Sequence, residues 1–558
     1  MPRLRALALL SSLALVACRG GRDAATPAAT AAPGGTVVIA TPAEPDNLLP
    51  PITASASGRQ VEDLVFEHLA DIGTSLNTVG DAGFTPALAR EWSWSADSLQ
   101  VTFELDPSAR FHDGHPVRAT DVVFSVGLYQ DPKTASPTAS YLTNIDSVTA
   151  TDSLTATVWF RRRTPHQFFD VAYQTFVLPR HLLESADRAT LASSAFASAP
   201  VGSGPFRFVR WERGQSLELA ADTTAGRRRA QLDRVLFTMA PDPVTAFTRV
   251  ATGEADLFEA VRPDKVADVL KNPELRLVMM PSLQYLFLGF NQLDPVTGKP
   301  HPIFSDRAVR RALTMATDRR AIVANIYDTL ATQSRGPFTI AQPNADATTP
   351  LIPYSLDSAN ALLDAAGWVR GADSIRTRAG RRLAFGIAVT STSVPRMRAA
   401  VLLQEQFRRV GADVKVESSD MAGFMGRATA HKFDTWLGIW AADPGPGSVR
   451  DSWTTAGAGP GGNNYQGYRS AAFDAQVDSG EAAFAPAVMQ RHFAAAWRII
   501  ADDAPAIWIA EPKAVMAIHK RIETTGMRPD AWWAGLAHWT IPAAARIARD
   551  VPAPAPAR

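Results

Sequence analysis

The chain has 558 residues, more than a single hydrophobic core organises, so we expect at least two domains. Its 56 lysines and arginines nearly balance 55 aspartates and glutamates, which argues against a dedicated nucleic-acid-binding protein. Cys18 is the only cysteine, which excludes an intramolecular disulfide and a zinc site built from several thiolates.

The N-terminal residues have the features of a secretory signal. Positive charges at Arg3 and Arg5 accompany a short apolar run that ends at Ala17. The run is shorter than the roughly 20 residues of a membrane-spanning helix. We therefore predict a signal peptide at residues 1–17, and no other segment approaches spanning length.

The end of this segment, Leu15-Val16-Ala17-Cys18, resembles the bacterial lipobox. In a lipobox the signal is cut before the cysteine, whose sulfur receives a diacylglycerol. The resemblance implies that Cys18 is lipidated; the alternative is a signal peptide with an accidental cysteine. Residues 18–34 are small and Pro-containing, which predicts a flexible tether.

The following chain mixes strands and helices, as α/β folds do. Leu99 to Leu105 alternates apolar and polar residues, which predicts a half-buried strand. Further strands are predicted at 154–160, 234–239 and 433–439.

Apolar stripes with helical spacing predict several helices later in the chain. One carries Val309 and Leu313 with Ser305 or Asp306 as its cap, and Asp357 is expected to cap another. The remaining stripes are Ala400, Leu403 and Phe407, and Met489, Phe493, Trp497 and Ile500.

Searches for catalytic and metal-binding motifs find none. The sequence contains no phosphate-binding loop and no H-E-x-x-H pair, and Gly202-Ser203-Gly204 lacks the spacing of a nucleophile elbow. His112 and His115 flank Asp113-Gly114, which we interpret as a polar turn because no third ligand follows at useful spacing. We predict no catalytic residue, metal or cofactor.

Several ordered segments resemble one known family. T-P-A-L-A-R-E-W at residues 85–92 precedes F-H-D-G-H-P at 111–116 and A-T-D-V-V-F-S at 119–125. This order resembles the signature of the family 5 solute-binding proteins, the extracytoplasmic dipeptide- and oligopeptide-binding lipoproteins of ABC importers. G-S-G-P-F at 202–206 and V-R-R-A-L-T-M-A-T-D-R at 309–319 resemble further family segments.

The resemblance implies an α/β fold of the type II periplasmic binding protein class, with two lobes, a hinge and an extra domain. The resulting plan has three domains, one of them discontinuous. Domain I is expected to comprise residues 35–52, 200–283 and 511–545, domain II residues 53–199, and domain III residues 284–510, followed by a tail at 546–558.

The resemblance also implies a ligand site around Trp440. In peptide-binding members, a "W-x-x-D" aspartate pairs with the ligand's α-ammonium group, and Asp443 is the matching residue. The alternative is that Asp443 only caps the turn before Pro444.

Three other residues are weaker candidates for contact with the ligand. Asn464 and Tyr465 resemble an "N-Y/F" pair beside the family's pocket, or form a polar turn. Arg398 resembles a carboxylate-binding arginine of dipeptide-binding members, with Arg396 as its competitor and solvent exposure as the alternative. Residues 53–59 are expected to join the pocket floor.

Together these features predict a lipid-anchored extracytoplasmic receptor. It is expected to bind a small peptide or peptide-like solute and deliver it to an ABC permease with its ATPase subunits. We expect a monomer that binds no nucleic acid and is not an enzyme. The alternatives are the same role for a nickel complex, a sugar or an opine, and a secreted hydrolase.

Overall fold

The computed structural model describes residues 33–224, 229–343, 345, 348–459 and 462–550. The predicted signal peptide, Cys18, most of the tether and the tail from residue 551 lie outside these residues. Among the helices of the described part, none is both long enough and apolar enough to cross a membrane.

A mixed seven-stranded sheet is assembled from three separate parts of the chain. Its central strand, Thr36–Thr41, pairs in parallel with Arg234–Met239 on one side and Leu257–Phe258 on the other. In spatial order the strands are Leu275–Met280, Ala514–His519, Leu257–Phe258, Thr36–Thr41, Arg234–Met239, Ser216–Ala221 and Phe206–Glu212.

A six-stranded sheet forms within the later half of the chain. Its two central strands, Gln284–Phe290 and Thr435–Ala441, are antiparallel, and Ala384–Thr390 and Asp413–Ser419 extend it in parallel. In spatial order the strands are Ala331–Thr332, Ala506–Pro512, Gln284–Phe290, Thr435–Ala441, Ala384–Thr390 and Asp413–Ser419.

A four-stranded antiparallel sheet is formed by residues that lie, in the sequence, between the strands Thr36–Thr41 and Phe206–Glu212 of the seven-stranded sheet. Its spatial order is Ala89–Trp94, Gln100–Leu105, Thr155–Phe160 and Ile145–Ala150. Two small sheets pair Ala70–Ile72 with Phe84–Pro86, and Arg376–Arg378 with Val369–Arg370 and Arg381–Arg382.

The α-helices pack on the faces of these sheets. They are Ala56–Val65, Ala119–Gln130, Gln167–Ala172, Arg180–Leu183, Pro243–Ala251, Val266–Lys271, Arg307–Met315, Arg319–Ile326, Leu356–Ala365, Val394–Arg409, Met421–Thr429, Gly447–Trp453, Ala471–Glu481 and Pro486–Asp503.

The large sheets have separate hydrophobic cores. The core of the seven-stranded sheet also contains Val61 and Leu64 of the helix Ala56–Val65, together with Phe176 and Leu178. Residues within 53–199 therefore pack on two different sheets, and the domain boundaries given above remain a prediction.

The strands and helices predicted from patterns in the sequence are confirmed, but one of the predicted N-cap residues is wrong. The alternating segment forms the strand Gln100–Leu105, and Asp306 caps Arg307–Met315 by accepting from Ala308 N at 2.9 Å. Asp357, however, lies inside the first turn of its helix. Ser355 Oγ is the cap and accepts from Ser358 N at 3.1 Å, because serine satisfies a free N–H group at this position as well as aspartate does.

Two neighbouring connections join the seven-stranded sheet to the six-stranded sheet. Residues 281–283 form the first connection, and Lys513 alone forms the second. Ser282 Oγ donates to Pro512 O at 2.5 Å, so the two connections touch. The chain therefore passes between these sheets through a narrow pair of segments.

A buried ion-pair network closes the seven-stranded sheet. Arg521 makes two hydrogen bonds to Asp256, at 2.7 and 2.8 Å, and one to Asp550 at 2.7 Å. Its guanidinium also donates to Thr36 O at 2.8 Å. The side chains of Asp256 and Asp550 are fully buried. The network ties the central strand to the end of the described chain.

We predict that Arg521→Met lowers the free energy of unfolding by about 3–5 kcal/mol, because it leaves two buried carboxylates without this partner. The exposed pair Arg408–Glu405 provides the control, and Arg408→Met should cost less than about 1 kcal/mol. Urea denaturation measures both, and equal small losses would contradict a structural role for the network.

Candidate functional site

A cavity of about 600 Å³ lies between two parts of the molecule. One wall contains residues 140–144 and 162–170, beside the four-stranded sheet. The other wall contains Asp443 to Gly447, which follow a central strand of the six-stranded sheet, and the end of the helix Ala471–Glu481. A cavity of this size at the junction of two sheets is typical of a small-molecule site.

Asp443 reaches from one wall of this cavity to the other. Its carboxylate accepts a hydrogen bond from the Tyr141 hydroxyl, and its carbonyl oxygen accepts one from Gln342 Nε2 at 2.8 Å. Among the described residues, nothing donates to its Oδ1, and no backbone N–H of the following turn donates to the carboxylate. The side chain therefore points to the facing wall rather than to its own turn.

The surroundings of Asp443 change its acidity. Burial raises the pKa of Asp443, while the hydrogen bond from Tyr141 and the positive charge of Arg59 lower it. The same burial, with the neighbouring Asp443 charge, raises the pKa of Tyr141, which keeps the phenol protonated and able to donate. The arrangement suits a carboxylate that binds a cation when the cavity is filled.

Close packing of small residues brings the two walls together. A Cβ atom added to Gly445 would lie 3.8 Å from Phe169 Cε1, and one added to Gly447 would lie 3.4 Å from Tyr141 Cε1. A side chain at either position would therefore contact the opposite wall, so the loop after Asp443 runs close to it.

Trp440 and Tyr465 stand beside this wall. The ring centroid of Trp440 lies 5.6 Å from those of Tyr465 and Trp436. Trp440 Nε1 is buried without a hydrogen-bond partner in the described chain. Tyr465 donates to Asn463 Oδ1 at 2.9 Å and lines a second cavity, of about 400 Å³. The structure thus brings Tyr465 against Trp440, but not into the larger cavity.

Asn464 is fully buried and holds its own loop together. Its amide nitrogen donates to Thr454 O at 2.9 Å and to Tyr468 O at 2.8 Å. Its amide oxygen accepts from Tyr468 N at 3.2 Å. The whole side-chain amide is used within the loop.

Arg398 lies away from the cavity. It is exposed on the helix Val394–Arg409, beside Asn325 and Ile326. Its competitor Arg396 is nearly buried, with its guanidinium carbon 5.6 Å from the ring centre of Phe424. Neither arginine lines the larger cavity.

None of residues 53–59, which were expected to join the pocket floor, lines the larger cavity, and only the charge of Arg59 acts on it. Arg59 Nε donates to Asp63 Oδ1 at 3.0 Å, and its charge acts on Asp443. Thr53 instead donates to the buried Glu62. Burial raises the pKa of Glu62 to about 8, so this carboxyl is largely protonated at neutral pH.

Several residues of the cavity were not predicted from the sequence. Tyr141, Asp170 and Glu481 lie in segments without any motif, and only their tertiary contacts reveal them. Arg162 and Arg163, part of an exposed arginine run, also line the cavity. Arg163 lies 4.1 Å from the ring centre of Phe484.

The turn around Asp113 acquires a third polar partner from elsewhere in the chain. His181 Nε2 lies 2.7 Å from Asp113 Oδ2, and its ring stacks on His115 at 4.0 Å. His112 instead lies against Gly204 O and accepts from Gly202 N. His181 comes from far along the chain, so spacing in the sequence could not reveal it; the cluster is exposed, and contacts among its own members account for its geometry.

The chain matches a known protein family over a region that includes most of this site. The sequence profile of the bacterial extracellular solute-binding proteins, family 5 (middle region), matches residues 83–460, more than half of the chain. The match includes the wall residues from Ser140 to Asp170 and the segment around Asp443. It confirms the resemblance inferred from the sequence motifs.

Individual proteins of known structure are also similar. The oligopeptide-binding protein AppA of Bacillus subtilis is 25% identical over 546 residues, covering 94% of this chain and 97% of AppA. Its structure, solved with a nonapeptide, superposes with a TM-score of 0.79 at 22% identity, covering 92% of this chain and 99% of that one.

Two further structures show the same fold. The ABC transporter-associated periplasmic binding protein DppA of Helicobacter pylori, solved with the peptide STSA, gives a TM-score of 0.75 at 22% identity, covering 91% of this chain and 98% of that one. NikZ of Campylobacter jejuni, solved with Ni(L-His), gives 0.76 at 22% identity, covering 91% and 100%. The type II periplasmic binding protein fold predicted from the sequence is thereby confirmed.

We predict that Tyr141→Phe raises the pKa of Asp443 further, because it removes the hydrogen bond that stabilises the carboxylate. The ¹³C shift of the Asp443 side chain, followed through a pH titration, measures the change, and Asp443→Asn assigns the signal. Tyr354→Phe, at an exposed tyrosine outside the cavity, should leave the titration unchanged. An unaltered pKa in Tyr141→Phe would show that the two groups do not interact in solution.

Proposed function

The chain belongs to the bacterial extracellular solute-binding proteins of family 5, and we propose that it is the receptor of an ABC transporter for peptides or peptide-like solutes. Its relatives are solute-binding proteins rather than enzymes. The observation that carries the proposal is Asp443, a carboxylate with one free oxygen, held by Tyr141 across a cavity between two walls.

The proposed ligand contact is an ion pair between Asp443 and a free α-ammonium group. Trp440 precedes Asp443 by three residues but does not line the cavity, whose volume accommodates a short extended chain. Main-chain hydrogen bonds then provide affinity that does not depend on the side chains of the ligand. The placement of Asn464 and Arg398 gives no support to a direct role for either residue.

The proposed cycle includes capture, closure and delivery. The lobes close about the chain crossings near residues 52, 200, 283 and 511, of which the pair joined by the hydrogen bond from Ser282 to Pro512 is the best defined. The closed monomer delivers the solute to a membrane permease driven by its ATPase subunits. Binding itself needs no cofactor.

A non-peptide solute is the second candidate. NikZ, which shares the fold, was solved with a nickel–histidine complex. Histidine carries an ammonium group, so Asp443 would suit such a ligand too. Native mass spectrometry of gently purified protein distinguishes a retained peptide from a retained metal complex.

We predict that Asp443→Asn weakens the binding of peptides with a free N-terminus by about 2–5 kcal/mol, or roughly 30- to several-thousand-fold. Asparagine keeps the shape of the side chain and removes its charge. Calorimetry with pools of di- to nonapeptides, free or N-acetylated, gives a double-mutant cycle. Acetylated pools should bind poorly to the natural protein and lose little further in the variant.

Two results would contradict this assignment. Equal binding of free and acetylated peptides by both proteins would reduce Asp443 to a turn residue. Hydrolysis of the peptides during the titration would favour the secreted hydrolase. A ligand that raises the melting temperature without turnover supports the receptor.

We further propose that Cys18 carries the lipid anchor and that residues 1–17 are removed. The proposal is supported by the lipobox-like Leu15 to Cys18 and by the extracellular character of the family. Mass spectrometry of the mature N-terminus should find a diacylglycerol on Cys18, and Cys18→Ala should release a folded protein from membranes. Cleavage elsewhere, or an unmodified cysteine, would contradict the anchor.

A further inference from the structure

The charged side chains of the larger cavity are not equally paired. Arg450 Nε lies 2.5 Å from Glu481 Oε2, and the same guanidinium also pairs with Asp478. Asp443 accepts from Tyr141. These carboxylates each have a partner from the protein itself.

Asp170 is the exception. It lies on the helix Gln167–Ala172 in the wall that faces Glu481, and its carboxylate is half-buried. No described residue donates a hydrogen bond to this side chain or forms an ion pair with it. Burial raises its pKa well above the ordinary value, and the negative charge of Glu481 raises it further.

A partly desolvated carboxylate without a partner among the described residues carries a cost in a folded protein, and such groups concentrate where a ligand completes them. Asp170 has no structural role that would offset this cost, since it neither caps a helix nor bridges two elements. Its position in the wall of the ligand cavity makes the ligand the available source of a cation.

We propose that Asp170 forms a subsite for a cationic side chain, so that the receptor selects peptides with lysine or arginine within their first two residues. The inference rests on the proposed function, in which Asp443 holds the α-ammonium group. Phe169, the neighbour of Asp170, lines the same cavity as Gly445, two residues after Asp443, and a Cβ atom added to Gly445 would lie 3.8 Å from its ring. This packing brings the two carboxylates into one region of the cavity, so one N-terminal residue can supply both cations.

The arginines of the cavity do not neutralise this subsite. Arg450 is held by its two carboxylates, and Arg163 is exposed over the ring of Phe484. Arg162 is also exposed and is therefore screened by solvent and salt. His166, a further neighbour, has a pKa lowered to about 4 by burial, so it is neutral at pH 7.

The test compares lysine with norleucine, which has an unbranched alkyl side chain without the ammonium group. Two peptides of the length that binds most tightly differ only in this first residue, followed by alanines. Calorimetry should show the lysine peptide binding the natural protein roughly 10- to 100-fold more tightly. Asp170→Asn should abolish that difference and leave the affinity for the norleucine peptide unchanged.

Asp478→Asn is the matched control, because it removes another carboxylate from the same cavity, one that Arg450 already pairs. It should retain most of the preference for lysine. Equal affinities for both peptides in the natural protein would overturn the subsite, as would a preference that survives Asp170→Asn or that Asp478→Asn removes equally.

The outcomes also separate this subsite from the proposed function. Binding of both peptides without a preference for lysine refutes the subsite alone. Absence of binding by every free peptide refutes the peptide receptor and the subsite with it. The melting temperature of the ligand-free Asp170→Asn protein is an independent test. It should stay the same or rise, because an unpaired and partly desolvated carboxylate is removed. A clear fall would indicate a structural role instead.

Discussion

The desolvation of carboxylates between two walls is the constraint on which the site depends. Asp443, Glu481 and Asp170 all lose water in the same cavity, and burial raises the pKa of each. The three are compensated differently. A phenol from the facing wall serves Asp443, an arginine serves Glu481, and among the described residues no group serves Asp170. In the proposed receptor, this unequal compensation is the source of the preference for a cationic side chain.

The cavity lies where the region of the four-stranded sheet faces the six-stranded sheet, and the six-stranded sheet is in turn closely connected to the seven-stranded sheet. The seven-stranded and six-stranded sheets each have a core, and two touching segments join them. Such a connection permits rigid bodies to rotate while their interiors stay packed. The loop that contains Gly445 and Gly447 runs close to the opposite wall of the cavity.

Local patterns in the sequence predicted much of the fold. Alternation identified the strand Gln100–Leu105, and the apolar stripe from Met489 to Ile500 identified the helix Pro486–Asp503, because periodicity reports directly which face is buried. The cap at Ser355 was missed because serine and aspartate two positions apart satisfy the same rule. The family resemblance, rather than any pattern of spacing, provided the order of the domains.

The residues of the site were harder to predict from the sequence than the fold was. Asp443 was singled out because it follows a strand and matches a family motif, and the structure places it in the cavity. Asn464 also resembled a family motif, but its amide is used within its loop, and a motif does not distinguish these roles. Tyr141 and Asp170 come from a wall that meets Asp443 only in three dimensions, so local sequence contained no signal for them.

The three-part construction of the large sheet also determines when the molecule can fold. Its central strand finds a parallel partner about 200 residues later, and Thr36 N donates to Asp550 Oδ1 across 514 residues of chain. Pairings between such distant segments form slowly. A chain emerging from the ribosome keeps this sheet incomplete until its last strand has been synthesised. That delay is compatible with the proposed signal peptide, which would direct the chain across a membrane before the sheet is complete.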